Sequence, residues 1–252
     1  MKIKALIFDV DGTLADTEEA HRCAFNEAFQ RHGLDWNWSR DEYARWLRVT
    51  GGKERLTAYI ESLQLSSDER QSLNGRIAEI HESKTEIYTR LISSGQVPLR
   101  DGVGRLMYEA ESAGVKLAIA STTTRQNIDA LILTNLGEGA LQRFSVIAAG
   151  DVVSRKKPAP DIYEYVLRAL RASAAECVAI EDSSHGLAAA KGAALFTVVT
   201  PNPWTRGEDF AAADILLASL GSWDRPLREL ESAFGASQKR GCRSPSMASG
   251  DV

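Results

Sequence analysis

Five short, nearly continuous apolar runs restrict the fold of this chain more than any other feature. They are Ala5-Leu6-Ile7-Phe8, Val115-Lys116-Leu117-Ala118-Ile119-Ala120, Val146-Ile147-Ala148-Ala149, Cys177-Val178-Ala179-Ile180 and Phe196-Thr197-Val198-Val199. A strand with one wet face alternates apolar and polar residues. A strand covered on both faces does not, and that is the habit of parallel sheets. Amphipathic helical stretches alternate with the later runs. Asp101 to Ala113 ends at Gly114 and Arg125 to Leu136 ends at Gly137. Asp161 to Leu170 follows Pro158 and Pro160, and Ser184 to Lys191 ends at Gly192. Glycine and proline at those borders are ordinary helix punctuation. The alternation predicts an open α/β sheet.

The gap between the first and second runs breaks this rhythm, being far too long for one crossover. It reads as helices over Thr17 to His32, Asp41 to Leu47, Glu54 to Leu65 and Ser67 to Ile92. The pattern predicts a helical domain, 17–93, inserted into a core made of 1–16 and 94–235. The hinges are expected at Leu14 to Asp16 and at Ser93 to Arg100. The last stretch, 236–252, is rich in Ser, Gly and basic residues and is expected to be a disordered tail.

Composition excludes several classes. With 44% hydrophobic residues in 252, the chain can bury a sizeable core. A formal net charge of -4 gives no footprint for nucleic acid. No apolar run approaches the roughly 18 residues of a membrane span, and the N-terminus lacks a signal-peptide pattern. Cys23, Cys177 and Cys242 are odd in number and fit neither a disulfide framework nor a zinc spacing. Cys23 and Cys177 read as core fillers. The expectation is a cytoplasmic monomer with no nucleic-acid or membrane partner.

In an open parallel sheet, ligands bind beyond the carboxyl ends of the strands. The first strand ends in Asp9-Val10-Asp11-Gly12-Thr13, the second in Ser121-Thr122, and the fourth in Glu181-Asp182-Ser183. Lys157 follows the third. Four separate segments thus bring carboxylates, hydroxyls and an ammonium to one rim. A carboxylate such as Asp9 can attack phosphorus. Magnesium takes a few carboxylate oxygens and bridges to phosphate, so Asp9 and Asp182, with Glu181 supporting, are candidate ligands. Lys157 places positive charge on phosphate oxygens, and Thr13, Ser121 and Thr122 offer further donors. Asp11 can protonate the leaving oxygen and later activate water. Plainer readings exist for each: a turn for Asp-x-Asp-Gly, a helix cap for Glu181-Asp182-Ser183 and for some hydroxyls of Ser121 to Thr124, and a solvated charge for Lys156.

With these residues in order, the chain resembles the haloacid dehalogenase superfamily over residues 1 to 220. Asp9 to Leu14, Ser121, Lys157-Pro158 and Glu181-Asp182 are similar to its four signatures. The resemblance implies a Rossmann-like core with an inserted type C1 cap, and Mg2+ as cofactor. It further implies Asp9 as nucleophile, Asp11 as acid/base residue with its carbonyl on the metal, Ser121 and Lys157 on phosphate, and Asp182 on magnesium.

The insert carries its own candidates. Glu18 and His21 follow the hinge. Thr50-Gly51-Gly52-Lys53-Glu54-Arg55 is a glycine turn opening a helix, a setting suited to anions. His81, Lys84 and Tyr88 share one helix face. Any of these cations can equally be an exposed helix face. These segments, with Ala148-Ala149-Gly150-Asp151, resemble the CbbY subgroup, which is similar in layout to beta-phosphoglucomutase. That resemblance implies a sugar-phosphate phosphatase removing the 1-phosphate of xylulose-1,5-bisphosphate, a Rubisco inhibitor, to give xylulose 5-phosphate. Glu18, His21, Thr50, Gly51, Gly52, Lys53, Arg55, His81 and Lys84 would then meet the substrate. A beta-phosphoglucomutase-like phosphotransferase, a phosphatase for small esters such as phosphoglycolate, and a non-catalytic binding protein on the same scaffold are the competing readings.

Overall fold

The structure is a computed structural model that describes residues 2–241. Six strands form one parallel sheet: β1 (Ala5–Phe8), β2 (Lys116–Ser121), β3 (Phe144–Ala149), β4 (Cys177–Glu181), β5 (Phe196–Val199) and β6 (Ile215–Leu216). Their order is β3-β2-β1-β4-β5-β6. β1 is central, with Ala5 aligned to Lys116 on one side and to Cys177 on the other.

Alternate residues of β1 enter different cores, which is why the run reads as continuously apolar. Leu6 and Phe8 pack with α6 (Val103–Ser112), α7 (Arg125–Leu136) and α10 (Pro226–Gly241). Ala5 and Ile7 pack with α8 (Asp161–Leu170) and α9 (Ser184–Gly192). Each fully buried Leu, Ile or Phe contributes about 1.5–3 kcal/mol, so both helix layers are held tightly to the sheet.

Five helices lie between β1 and α6: α1 (Glu18–Arg31), α2 (Arg40–Trp46), α3 (Gly52–Ser62), α4 (Ser67–Gly75) and α5 (Ile77–Ser93). Capping boxes start two of them, Ser39 with Glu42 and Ser66 with Glu69. Phe25, Phe29, Trp38 and Tyr43 form their buried aromatic centre, with the Trp38 ring 4.9 Å from each phenylalanine. The two segments joining this insert to the sheet lie side by side. Arg100 N–H donates to Leu14 O at 2.8 Å, and Ala15 bridges Leu99.

Several expectations change. The single helix expected over Ser67 to Ile92 is two, separated at Arg76. Asn74 and Gly75, both poor helix formers, precede the break. β6 is only two residues long and gives too short a pattern to recognise. Residues Ala236 to Gly241 of the expected tail continue α10, whose Leu227, Leu230 and Phe234 are buried. Phe234 meets Phe196 edge-on at 5.3 Å. Residues 242–252, including Cys242, lie outside the described residues. Cys23 is exposed rather than a core filler, whereas Cys177 is buried. Among the described residues no helix is long and apolar enough to cross a membrane.

Candidate active site

A cavity of about 140 Å³ opens where the insert meets the carboxyl ends of the strands. Asp9 sits just past the end of β1, its N–H tied to Ile180 O at 3.0 Å. Lys157 reaches it from the segment between β3 and α8 and donates to Asp9 Oδ1 at 2.7 Å. The same ammonium donates to Glu181 Oε1 at 2.6 Å. Tyr163, on α8, donates to that oxygen at 2.5 Å. All four side chains are buried.

Electrostatics follow from that burial. Desolvation raises the Asp9 carboxyl to about 7; Lys157 lowers it and Glu181 raises it. Burial also raises Asp182 well above the usual carboxylate range, with Asp9 and Glu181 adding to it. Burial opposes the charge on Lys157, but Asp9 and Glu181 overcome it and hold the ammonium above its ordinary value. Oxygens of Asp9, Glu181 and Asp182 lie within 4.8 Å of one another. Three crowded carboxylates share one buried ammonium, so a divalent cation would relieve them. Asp9 and Asp182 line the cavity and can hold such an ion. Glu181 does not line it; its Oε1 is engaged by Lys157 and Tyr163. Oε1 thus holds the lysine, while Glu181 also belongs to the carboxylate cluster that could hold an ion and its Oε2 has no hydrogen-bond partner.

Asp11 points toward the insert. Its Oδ1 accepts from Thr17 at 2.6 Å and lies 2.9 Å from His21 Nε2. Tyr88 stacks on the His21 ring at 4.1 Å. Burial raises the Asp11 carboxyl, but His21 and Thr17 more than offset it and hold it far below the usual range. Gly12 is required next to it. It holds φ +86, and an added Cβ would come within 2.3 Å of Asp182 Oδ2.

Of the candidates read from the sequence, Asp9, Asp11, Glu18, His21, Thr50, Gly51, Gly52, Lys53, Arg55, His81, Lys84, Ser121, Thr122, Lys157 and Asp182 line one cavity. Thr13 does not; its hydroxyl turns to Asp182 Oδ1 at 3.4 Å. Some are already engaged by protein. Tyr43 donates to Glu18 at 2.7 Å, and Arg55 donates to Tyr43 Oη at 3.1 Å and Trp46 O at 3.0 Å. Lys53 spans from insert to core and meets Asp151 at 3.0 Å. Lys156 is no solvated charge: it lines the cavity and holds Asp151 at 2.6 Å. These two lysines lower the Asp151 carboxyl to about 2. The capping reading applies to Ser183, which accepts from Gly186 N–H at 3.1 Å, and to Thr124, which accepts from Asn127 N–H.

Sequence reasoning missed His185, Thr205, Glu208 and the buried Asn202, whose amide donates to Asp182 at 2.6 Å. Asn202 follows β5 in Pro201-Asn202-Pro203, at the same rim as the other strand ends. That position was the available signal.

Comparison with known proteins places the chain in a family. A haloacid dehalogenase-like hydrolase family model matches residues 3–194. Protein CbbY of Rhodobacter capsulatus is 50% identical over 222 residues, covering 88% of this chain and 96% of that protein. The plasmid-borne CbbY of Cupriavidus necator is 45% identical over 225 residues, covering 89% of each chain. A crystal structure of a mutant CbbY from Rhodobacter sphaeroides in complex with xylulose-(1,5)bisphosphate superposes with a TM-score of 0.82 at 46% identity, covering 88% of this chain and 96% of that one. A Clostridium difficile beta-phosphoglucomutase, 22% identical with a TM-score of 0.73, shares the fold.

Proposed function

This chain belongs to the haloacid dehalogenase-like hydrolases, and we propose that it is a magnesium-dependent phosphatase that removes the 1-phosphate of xylulose-1,5-bisphosphate through an aspartyl-phosphate. The observation carrying the reading is the single cavity shared by two sets of residues. Asp9, Ser121, Lys157 and Asp182 form its floor, and Glu18, Lys53, Arg55, His81 and Lys84 its roof. A substrate with two anionic ends needs charge at both places, and the sugar bisphosphate held by the CbbY relative fits that need.

Asp9 attacks phosphorus while Lys157, Ser121 and Thr122 take the phosphate oxygens. Bound magnesium, held by Asp9, Asp182 and the Asp11 carbonyl, would neutralise charge on the transferred group. Asp11 rests ionised, so the proton that reaches the leaving sugar oxygen comes from the Lys84 ammonium: Nζ gives a proton to His21 Nδ1 across 2.6 Å, His21 Nε2 gives one to Asp11 across 2.9 Å, and Asp11 passes it on. In the second step Asp11, held ionised by His21 and Thr17, accepts the proton of the attacking water. The insert excludes bulk water by covering the cavity, and its opening admits substrate.

The test is phosphate release with Mg2+ from xylulose-1,5-bisphosphate, ribulose-1,5-bisphosphate, phosphoglycolate and beta-glucose 1-phosphate. A preference for the first of about tenfold, worth ~1.4 kcal/mol at the transition state, is expected. Conversion of glucose 1-phosphate to the 6-phosphate would replace the phosphatase with a mutase that keeps Asp9.

A further inference from the structure

Asp182 is held by a turn that also touches the insert. Asn202, buried, donates through Nδ2 to Asp182 Oδ2 at 2.6 Å. Its Oδ1 accepts from Trp204 N–H at 2.7 Å and Thr205 N–H at 3.3 Å. Thr205 Oγ1 accepts from Asn202 N–H at 3.1 Å. The turn from Asn202 to Thr205 is therefore closed on itself, and its two ends move together.

At the tip of this turn the Trp204 ring meets Tyr43 edge-on at 5.6 Å, and the Arg40 guanidinium lies 4.7 Å above it. Both partners belong to α2 of the insert. Arg100, in the second connecting segment, donates to Thr200 O at 2.7 Å and Pro201 O at 3.0 Å, fixing the entry to the turn. On the far side Gly12 leaves no slack. A Cβ there would lie 2.3 Å from Asp182 Oδ2 and 2.4 Å from Asn202 Nδ2. Asp182 has one other side-chain partner among these groups, the longer contact from Thr13 at 3.4 Å.

We propose that the Asn202–Thr205 turn is a strut between the insert and Asp182: Trp204 seats the insert, and Asn202 positions the carboxylate. When α2 sits on Trp204, Asn202 holds Asp182 in place. When α2 lifts, that restraint loosens. Coupling of this kind is reciprocal, so an ion bound at Asp182 favours the seated insert. The inference rests on the reading of Asp182 as a metal-binding residue.

Direct binding of Mn2+ to the full chain, measured by electron paramagnetic resonance without substrate, tests it. Binding by the parent protein, and its loss in Asp182→Asn, fixes the site. Asn202→Ser keeps a hydroxyl that can close the turn but stops short of Asp182. Trp204→Leu keeps an apolar side chain but offers Arg40 and Tyr43 no ring. Each is expected to weaken Mn2+ binding by about fivefold, the lower end of ordinary coupling. The double variant is expected to bind no more weakly than Asn202→Ser alone, because the link is already cut. Arg40→Ala removes an exposed cation–π contact on the insert, and a weakening of about twofold is expected; it carries the comparison if Trp204→Leu does not fold. Parent-like affinity in Trp204→Leu, or an effect that adds in full to Asn202→Ser, overturns the strut alone. A parent protein that binds no Mn2+ overturns the metal reading and the strut with it.

Discussion

Nζ of Lys84 lies 2.6 Å from Nδ1 of His21, with both side chains buried. With the lysine as donor, the ring carries its proton on Nε2, the nitrogen facing Asp11 at 2.9 Å. Burial lowers Lys84 to about 7, so its charge is held at a cost. Lys84→Met is therefore expected to melt no lower than the parent. Its kcat should fall by about tenfold, ~1.4 kcal/mol, as Asp11 loses its oriented partner. Thermal melting and steady-state kinetics check this together. Unchanged kcat would reduce Lys84 to a packing residue.

Replacement of Asp9, the proposed nucleophile, is the sharpest test of the chemistry. Asp9→Asn keeps the shape and removes the attacking charge. Turnover should drop on the order of 10³-fold or more, with the fold intact by circular dichroism. An active Asp9→Asn protein refutes the covalent route.

Gly186 leaves room for Glu181. An added Cβ would sit 1.9 Å from Glu181 Oε2, a buried oxygen with no partner. Gly186→Ala must push the carboxylate against Lys157 and Tyr163 or shift α9. The expected cost is about 1–3 kcal/mol in urea unfolding, with reduced kcat because Lys157 is displaced. Parent-like stability would mean that α9 yields freely.

His81 gives a pH dependence with a definite sign. Burial, then Lys84 and Lys53, lower it from 6.5 to about 3. Between those values the unfolded chain binds the proton and the folded chain does not. The stability is thus fully present above 6.5 and lost as pH falls toward 3. Lys84 acts in the same sense at higher pH, its lowered value meaning stability is lost as pH falls from 10.5 through 7. The raised Asp9 and Asp182 carboxyls act in the opposite sense over this window, so the sign is read from the difference: the urea midpoint of the parent is expected to drop relative to that of His81→Gln between pH 7 and 4. Equal slopes would show that His81 takes up its proton in the folded protein.

The sheet was legible because burial on both faces erases alternation, and the rim was legible because chemistry collects at strand ends. Asp9, Lys157 and Asp182 were found that way. Thr13 was assigned by type and place in the chain, and neither reports where a side chain points. Thr13 turns to Asp182, and Glu181 turns to Lys157 and Tyr163. Tyr163 was hidden because an amphipathic helix uses tyrosine as core whether or not its hydroxyl is engaged. Asn202 and Trp204 lie in a loop without periodicity, where partners are set by tertiary contact alone. The break at Arg76 was missed because the apolar pattern continues in phase through α5.

The position of β1 has a consequence for how the protein comes into being. The strand that leads into Asp9 precedes the other five in the chain, yet Ala5 pairs with Lys116 on one side and Cys177 on the other. A growing chain therefore holds this fully apolar strand without a partner until β2 is made, and with one open edge until β4 is made. Such distant pairings close slowly and leave strand edges open to other chains. Lys157 and Asp182 lie late in the chain as well, so they join Asp9 only after the helical insert and three strands have been made. The rim is complete only when β4 pairs beside β1.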